Sequence, residues 1–269
     1  MYQKLLRLDL TKGIVVLCAS LHLFCVNVIC CRGQSEEEKA ASHVESLGGK
    51  ITKDPDGKVR DIILWGKPKS PLVGFTDEDI ESIDFSAFSR VKNLMVISGI
   101  TRQITDRSII RFEKIPAELE TLDLSYSQIT DKSASRLLKK QRSLYTVSFI
   151  GTSLGNQALS TIGSLENLQS LGLDATQIDD NGLDQLVNLK HLRMLSLKRT
   201  NITDAGVLKI KKLSSLTHLY LDGTRITDVG LAELSALNSL SKLGVSSTNV
   251  TEEGKASLQK ILPNLKFEK

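Results

Sequence analysis

The chain has 269 residues, of which 41% are hydrophobic, 25% charged and 4% aromatic, and Leu alone accounts for 42. That length supplies an ample core without disulfides or metals, and the composition excludes a mainly disordered or collagen-like chain. The 35 cations against 31 anions leave a net charge of +4, too small an excess for a charge-driven nucleic-acid binder.

From the amino terminus, residues 14–31 form an uncharged apolar run preceded by Lys4, Arg7 and Lys12. A basic flank before an apolar stretch of this length predicts a signal peptide or a signal anchor within residues 1–33. All four cysteines (Cys18, Cys25, Cys30, Cys31) lie in that run. The remainder therefore has no disulfide framework, no cysteine-based metal site and no thiol nucleophile. Its charge balance also drops to 32 cations and 30 anions. Residues 34–58 predict a cap. Ser35 and Glu38 have capping-box spacing, Ala40, Val44 and Leu47 share a helical face, and Gly48-Gly49 stops the helix. Asp54-Pro55-Asp56-Gly57 then turns a hairpin between residues 51–53 and 58–60.

From residue 59 to the end the chain repeats itself. Leu192 opens L-R-M-L-S-L-K-R-T-N-I-T-D-A-G, and Leu216 opens L-T-H-L-Y-L-D-G-T-R-I-T-D-V-G. Equivalent starts are read at Leu94, Leu119, Leu144, Leu168, Leu192, Leu216 and Leu240, spaced 24 or 25 residues apart. A longer, degenerate unit opens at Val59, and a last strand with Leu265 and Phe267 is expected to lack a dedicated cap. Alternation within L-x-x-L-x-L places the leucines on one side of a strand. The hydroxyl column Ser127, Thr152, Thr176, Thr200, Thr224 and Thr248 satisfies backbone groups inside the turn. Thr-Asp pairs such as Thr203-Asp204 start each helix. One unit cannot bury its apolar face alone, so stacking supplies the core.

These units resemble leucine-rich repeats of the ribonuclease-inhibitor-like class, with an I-T-D-x-G-L extension similar to exported bacterial repeat proteins and, more distantly, to the repeats of F-box proteins. The resemblance implies an α/β horseshoe solenoid of about eight repeats over residues 59–269, with a concave parallel sheet and convex helices. It implies a non-catalytic scaffold that binds a protein or peptide on the concave face. The apolar amino terminus sets that activity outside the cytoplasm, secreted or membrane-anchored. An intracellular adaptor analogous to F-box substrate receptors is the alternative.

Residues two, four and six places after each start face outward on the sheet. In the unit opened at Leu94 these are Val96, Ser98 and Ile100. The densest chemistry lies toward the carboxyl end, at Asp174, Lys198, His218, Tyr220 and Asp222, while Trp65 beside the Gly66–Pro71 insertion is a second candidate. No catalytic residue, metal ligand or cofactor is expected. Gly151-Thr152-Ser153-Leu154-Gly155 matches a nucleophile elbow, but the repeat register already uses Thr152 and Leu154. Asp54-x-Asp56-Gly57 departs from a calcium loop, its Gly two places early. Asn201-Ile202-Thr203 and Asn249-Val250-Thr251 are glycosylation sequons whose threonines the repeat needs anyway. Cell fractionation tests the export expectation: the full-length chain should be recovered with membranes or outside the cytoplasm, and its recovery free in the cytosol would remove that reading.

Overall fold

The computed structural model describes residues 34–65, 74–97 and 103–268. The apolar amino-terminal segment, the Gly66–Pro71 insertion, Ser98 and Ile100 lie outside them. No helix among the described residues is long and apolar enough to cross a membrane.

Helix α1 (Glu36–Ser46) begins with the reciprocal bonds of a capping box between Ser35 and Glu38. Its Glu37, 8% exposed, accepts the Val59 amide at 3.0 Å and the Lys58 ammonium at 2.9 Å, tying the helix to the first repeat. Strand β1 (Lys50–Lys53) runs antiparallel to β2 (Val59–Trp65). In the connecting turn, Asp54 accepts the amides of Asp56 and Lys58, and Arg90 bridges Asp54 and Asp56 at 3.2 and 2.7 Å. That use of both aspartates accounts for the D-x-D-G sequence without an ion.

Eight further strands follow in parallel, each beside its predecessor: β3 (Asn93–Ile97), β4 (Thr121–Asp123), β5 (Thr146–Ser148), β6 (Ser170–Gly172), β7 (Met194–Ser196), β8 (His218–Tyr220), β9 (Lys242–Gly244) and β10 (Lys266–Glu268). The helices between them are α2 (Asp77–Ser82), α3 (Asp106–Phe112), α4 (Asp131–Leu138), α5 (Asn156–Ile162), α6 (Asp204–Ile210), α7 (Asp228–Glu233) and α8 (Glu252–Ile261). In the unit between β6 and β7 the helix is 3-10 throughout, Asp180–Leu186. There the Gly163 backbone lies so close to the Gln185 carbonyl that a β-carbon at 163 would collide with it. The result is an open α/β solenoid, with the sheet on the concave side and helices on the convex side.

Strand centres Leu122, Val147, Leu171, Leu195, Leu219 and Leu243 are all at most 1% exposed, whereas their neighbours on either side are partly accessible, save Gly244, which is buried. The longer amino-terminal layers are filled by larger groups. Phe85 packs edge-on against Phe88 and Phe112, with ring centroids 6.2 and 5.3 Å apart. The unit on β3 corrects the sequence reading: Leu94 pairs with Leu122, not Leu119. Its pattern is Val91-x-x-Leu94-x-Val96, and all three side chains are fully buried. Asn93 and Met95 face outward, and Val96 does not. Two registers of the same apolar spacing compete in that stretch, and packing decides in favour of the one that buries Val91.

The turn hydroxyls bond within their own layer: Ser127, Thr152, Thr176, Thr200, Thr224 and Thr248 each donate to the carbonyl three residues back at 2.6–2.7 Å. The aspartate of Thr-Asp works between layers. Asp204 accepts the Thr227 amide at 2.8 Å and its hydroxyl at 2.7 Å; Asp180 does the same for Thr203, Asp228 for Thr251 and Asp106 for Thr130. The glycine two places after the aspartate makes room for this. A β-carbon on Gly182, Gly206, Gly230 or Gly254 would strike the Asn156, Asp180, Asp204 or Asp228 side chain of the preceding repeat.

In the last layer α8 packs polar groups against β10. Lys255 sits over the Phe267 ring at 5.9 Å and Gln259 donates to the Leu265 carbonyl at 3.1 Å.

Removing the Asp204 carboxylate by Asp204→Ala should cost about 1–3 kcal/mol, because the Thr227 amide and hydroxyl lose their acceptor. Gly230→Ala should cost a similar amount by displacing that carboxylate. The double variant should fall short of the sum by about 1 kcal/mol, measured by denaturant unfolding. The Asp228 carboxyl is held below its ordinary range by the Thr251 amide and hydroxyl, and that of Asp179 by the Asn156 side chain and the Asn181 amide. A depressed folded-state pKa stabilises above the unfolded value and is lost as pH falls. Melting temperatures should therefore hold through neutral pH and drop below about pH 4.

Candidate functional site: the concave sheet face

The concave face is built from alternate residues of nine parallel strands, and the backbone register sets them in rows. Ser170, Met194, His218, Lys242 and Lys266 form one row, and Gly172, Ser196, Tyr220, Gly244 and Glu268 the next. A third row follows just past the strands, through Ile150, Asp174, Lys198, Asp222 and Ser246. Its carbonyls still accept amides across the layers: Gly151 donates to the Asp174 carbonyl, Ala175 to Lys198, Arg199 to Asp222 and Gly223 to Ser246.

The structure brings four of the five carboxyl-end candidates into direct contact. Lys198 pairs with Asp222 at 3.2 Å and lies 4.7 Å from the Tyr220 ring centroid, while its amide donates to Asp174 at 3.0 Å. His218 stands apart, its Nδ1 2.8 Å from the Thr217 hydroxyl. Asp174 and Asp222 have a second use that strand alternation does not reveal. Each accepts a backbone amide from the next layer (Lys198 or Ser246, both at 3.0 Å), and Asp174 also accepts the Ser196 hydroxyl. Strands three residues long leave these amides without a ladder partner, and the carboxylates satisfy them. Asp222 Oδ2 is buried and makes no hydrogen bond of good geometry, so the Lys198 ammonium is what balances it.

Gly244 closes the cluster, since a β-carbon there would strike Asp222 and lie 3.0 Å from the Tyr220 ring. Tyr220 therefore rests on bare backbone.

Trp65 is remote from this group, six strands away on β2, and 57% exposed. Half-exposed Ile63 and Met95 lie beside it on the floor, paired across β2 and β3. One aromatic was missed by the sequence reading. Tyr126 is 44% exposed and adopts φ 61°, with its ring against Gly151, where a β-carbon would come within 2.8 Å. The left-handed turn position recurs as Gly151, Ala175, Arg199, Gly223 and Ser247. A bulky residue in that conformation is a signal, but only backbone angles expose it.

The nucleophile-elbow segment is absorbed by the same scaffold. Gly151 supplies the positive φ (66°), Thr152 bonds the Phe149 carbonyl, Leu154 is fully buried, and the Gly155 amide is held by Asp131 at 2.7 Å.

This geometry defines a class: an open α/β solenoid whose strand, turn and helix recur with one set of interlayer bonds. A family model described as leucine-rich repeat matches residues 119–138, 188–211 and 212–235. The crystal structure of internalin C2 from Listeria monocytogenes is similar, with 25% identity and a TM-score of 0.51 over 72% of this chain and 74% of that one. A leucine-rich repeat protein of Leptospira interrogans shares the fold at 18% identity and a TM-score of 0.51. It covers 77% of this chain, which spans about half (52%) of that one. A search of curated proteins found no match. The chain thus contains leucine-rich repeats and has the fold of a leucine-rich repeat solenoid, and proteins of that kind are in general scaffolds for protein binding.

Asp174→Ala and Asp222→Ala should each lower the stability of the fold, by about 1–3 kcal/mol for the amides left without acceptors. Tyr220→Ala and His218→Ala should leave the melting temperature within a few degrees of the parent. Thermal unfolding of the four variants checks this division between scaffold and free surface.

Proposed function

We propose that the chain recognises a protein or peptide partner on its concave face, outside the cytoplasm and without catalysis. The observation that carries this is the asymmetry of the two sheet faces. Helices bury one face completely, and among the described residues no element covers the other. That uncovered face nevertheless carries Trp65, Tyr220, Ile63 and Met95, side chains of the kind that anchor protein interfaces. Asp174 and Asp222 support this surface by fixing its backbone, and Lys198 sets the Tyr220 ring. Trp65, Tyr220 and His218 are the contact residues. The basic flank and apolar run of residues 1–33 support the extracytoplasmic setting and, where that segment is retained, attachment to a membrane.

Crosslinking of the full chain in its native envelope, followed by capture, tests this. Trp65→Ala and Tyr220→Ala should each reduce the captured partner about tenfold, as loss of an aromatic anchor does. Val229→Ala, on a helix where the side chain is 70% exposed, should leave capture unchanged. Equal capture by the double Trp65→Ala, Tyr220→Ala variant and the parent would remove the concave face from the function.

A further inference from the structure

The concave face is chemically divided, and the division specifies the kind of partner. At its amino-terminal end lie the chain's exposed apolar and aromatic groups of this face, Trp65, Ile63, Met95, Tyr126 and, after the next strand, the half-exposed Ile150, beside the half-exposed Asp61, Asn93 and Asp123, so that the charge on this end is acidic and not cationic. The middle is floored by small groups, Ser148, Gly172 and Ser196, with Ile150 leaning over Gly172 where a β-carbon would meet it at 3.3 Å. At the carboxyl-terminal end the lower rows are cationic. Lys242 and Lys266 stand side by side on β9 and β10, with His218 before them and exposed Arg193 at the start of the β7 layer. Glu268 is the carboxylate on this stretch and pairs with Lys242 at 3.4 Å. Among the described residues Arg193 and Lys266 have no acidic partner. Asp174 and Asp222 do not offset them, being committed to amides of the neighbouring layers and, for Asp222, to Lys198.

Resting on the concave-face reading above, we propose that the occupant is an extended peptide segment with an apolar or aromatic end and an acidic end. It crosses the strands with its apolar end on Trp65, Ile63 and Met95 and its acidic end on Arg193, Lys242 and Lys266. The two ends are about six strands apart, roughly 29 Å at 4.8 Å per strand, which eight or nine extended residues span. An extended chain fits because the small residues between the ends leave room for backbone. The apolar end supplies desolvated anchoring, and the charges supply direction and salt sensitivity.

The test uses twelve-residue Trp-free peptides of one composition. One carries Phe and Leu at one end and Asp and Glu at the other, one is its reversed sequence, and one has the same residues interleaved. A fourth replaces the acidic block by Lys. Because Trp65 is the single tryptophan of the chain, its emission reports occupancy of the apolar end. At least one block peptide should bind the full chain tenfold or more tighter than the interleaved and Lys peptides. It should shift Trp65 emission to the blue and weaken severalfold between 50 and 300 mM salt. The double variant Arg193→Glu, Lys242→Glu should prefer the Lys peptide instead, and its unchanged melting temperature would show that it folds.

Equal binding of block and interleaved peptides, or no reversal in the double variant, overturns the proposal, as does binding to anionic phospholipid vesicles with no discrimination among peptides. A partner lost on Trp65→Ala but kept by the charge-reversed variant would overturn this inference and leave the concave-face reading standing. A partner kept by both would overturn the two together.

Discussion

The bond from a helix's first aspartate to the threonine amide and hydroxyl of the next repeat, made by Asp77, Asp106, Asp180, Asp204 and Asp228, is the interaction on which the rest of the solenoid depends. Apolar stacking drives the layers together, but it has no direction and tolerates a shift along the strand. A carboxylate that must find one amide and one hydroxyl does not. Asp106, Asp180, Asp204 and Asp228 thus convert a column of leucines into a column with one register. The glycine that follows each later aspartate is part of the same device, since the carboxylate occupies the volume a side chain would need. In the first unit Asp77 makes the same pair of bonds, to the Thr105 amide and hydroxyl, and also accepts the Ser108 hydroxyl, which stands where the later repeats have glycine; Gln141 accepts the Leu119 amide at 2.6 Å.

Regularity on the convex side is what leaves the concave side free to vary. Every strand offers two or three outward positions whose side chains do not enter the core, so their chemistry can change from layer to layer at little cost to stability. The exceptions are instructive. Asp174 and Asp222 point outward, yet they hold amides that short strands leave unpaired, and Lys198 in turn balances a buried oxygen of Asp222. A cluster of charges on a binding face can therefore be scaffold first. On the proposed binding face the surface left free of scaffold duties is narrower than a list of polar residues suggests, and it centres on rings, aliphatic groups and cations.

Much of this was legible beforehand, residue by residue. The recurrence of L-x-x-L-x-L at 24 or 25 residues marks strands and a shared core, and the small hydroxyl nine places in marks the turn. The Ser35–Glu38 spacing marks the start of α1. The candidate face followed from strand alternation alone, which is why Trp65, Tyr220 and Lys198 could be named as outward. The unit containing Leu94 misled, because Leu94 and Ile97 have the same L-x-x-L spacing as Val91 and Leu94, which are the pair that opens the repeat. Tyr126 was missed because a left-handed backbone leaves no trace in residue type when the residue is not Gly.

By itself the sequence determined the architecture, since a periodic apolar pattern with turn and cap residues at fixed offsets has one economical way to bury itself. It also determined which columns are scaffold. Only the tertiary structure decided which layer each carboxylate serves, because a bond between residues 23 or 24 apart depends on how layers stack, not on local spacing. Stacking likewise decided that Asp174 and Asp222 are held while Trp65 and Tyr220 are offered, and that the apolar and cationic stretches of the concave face lie at opposite ends of one continuous surface.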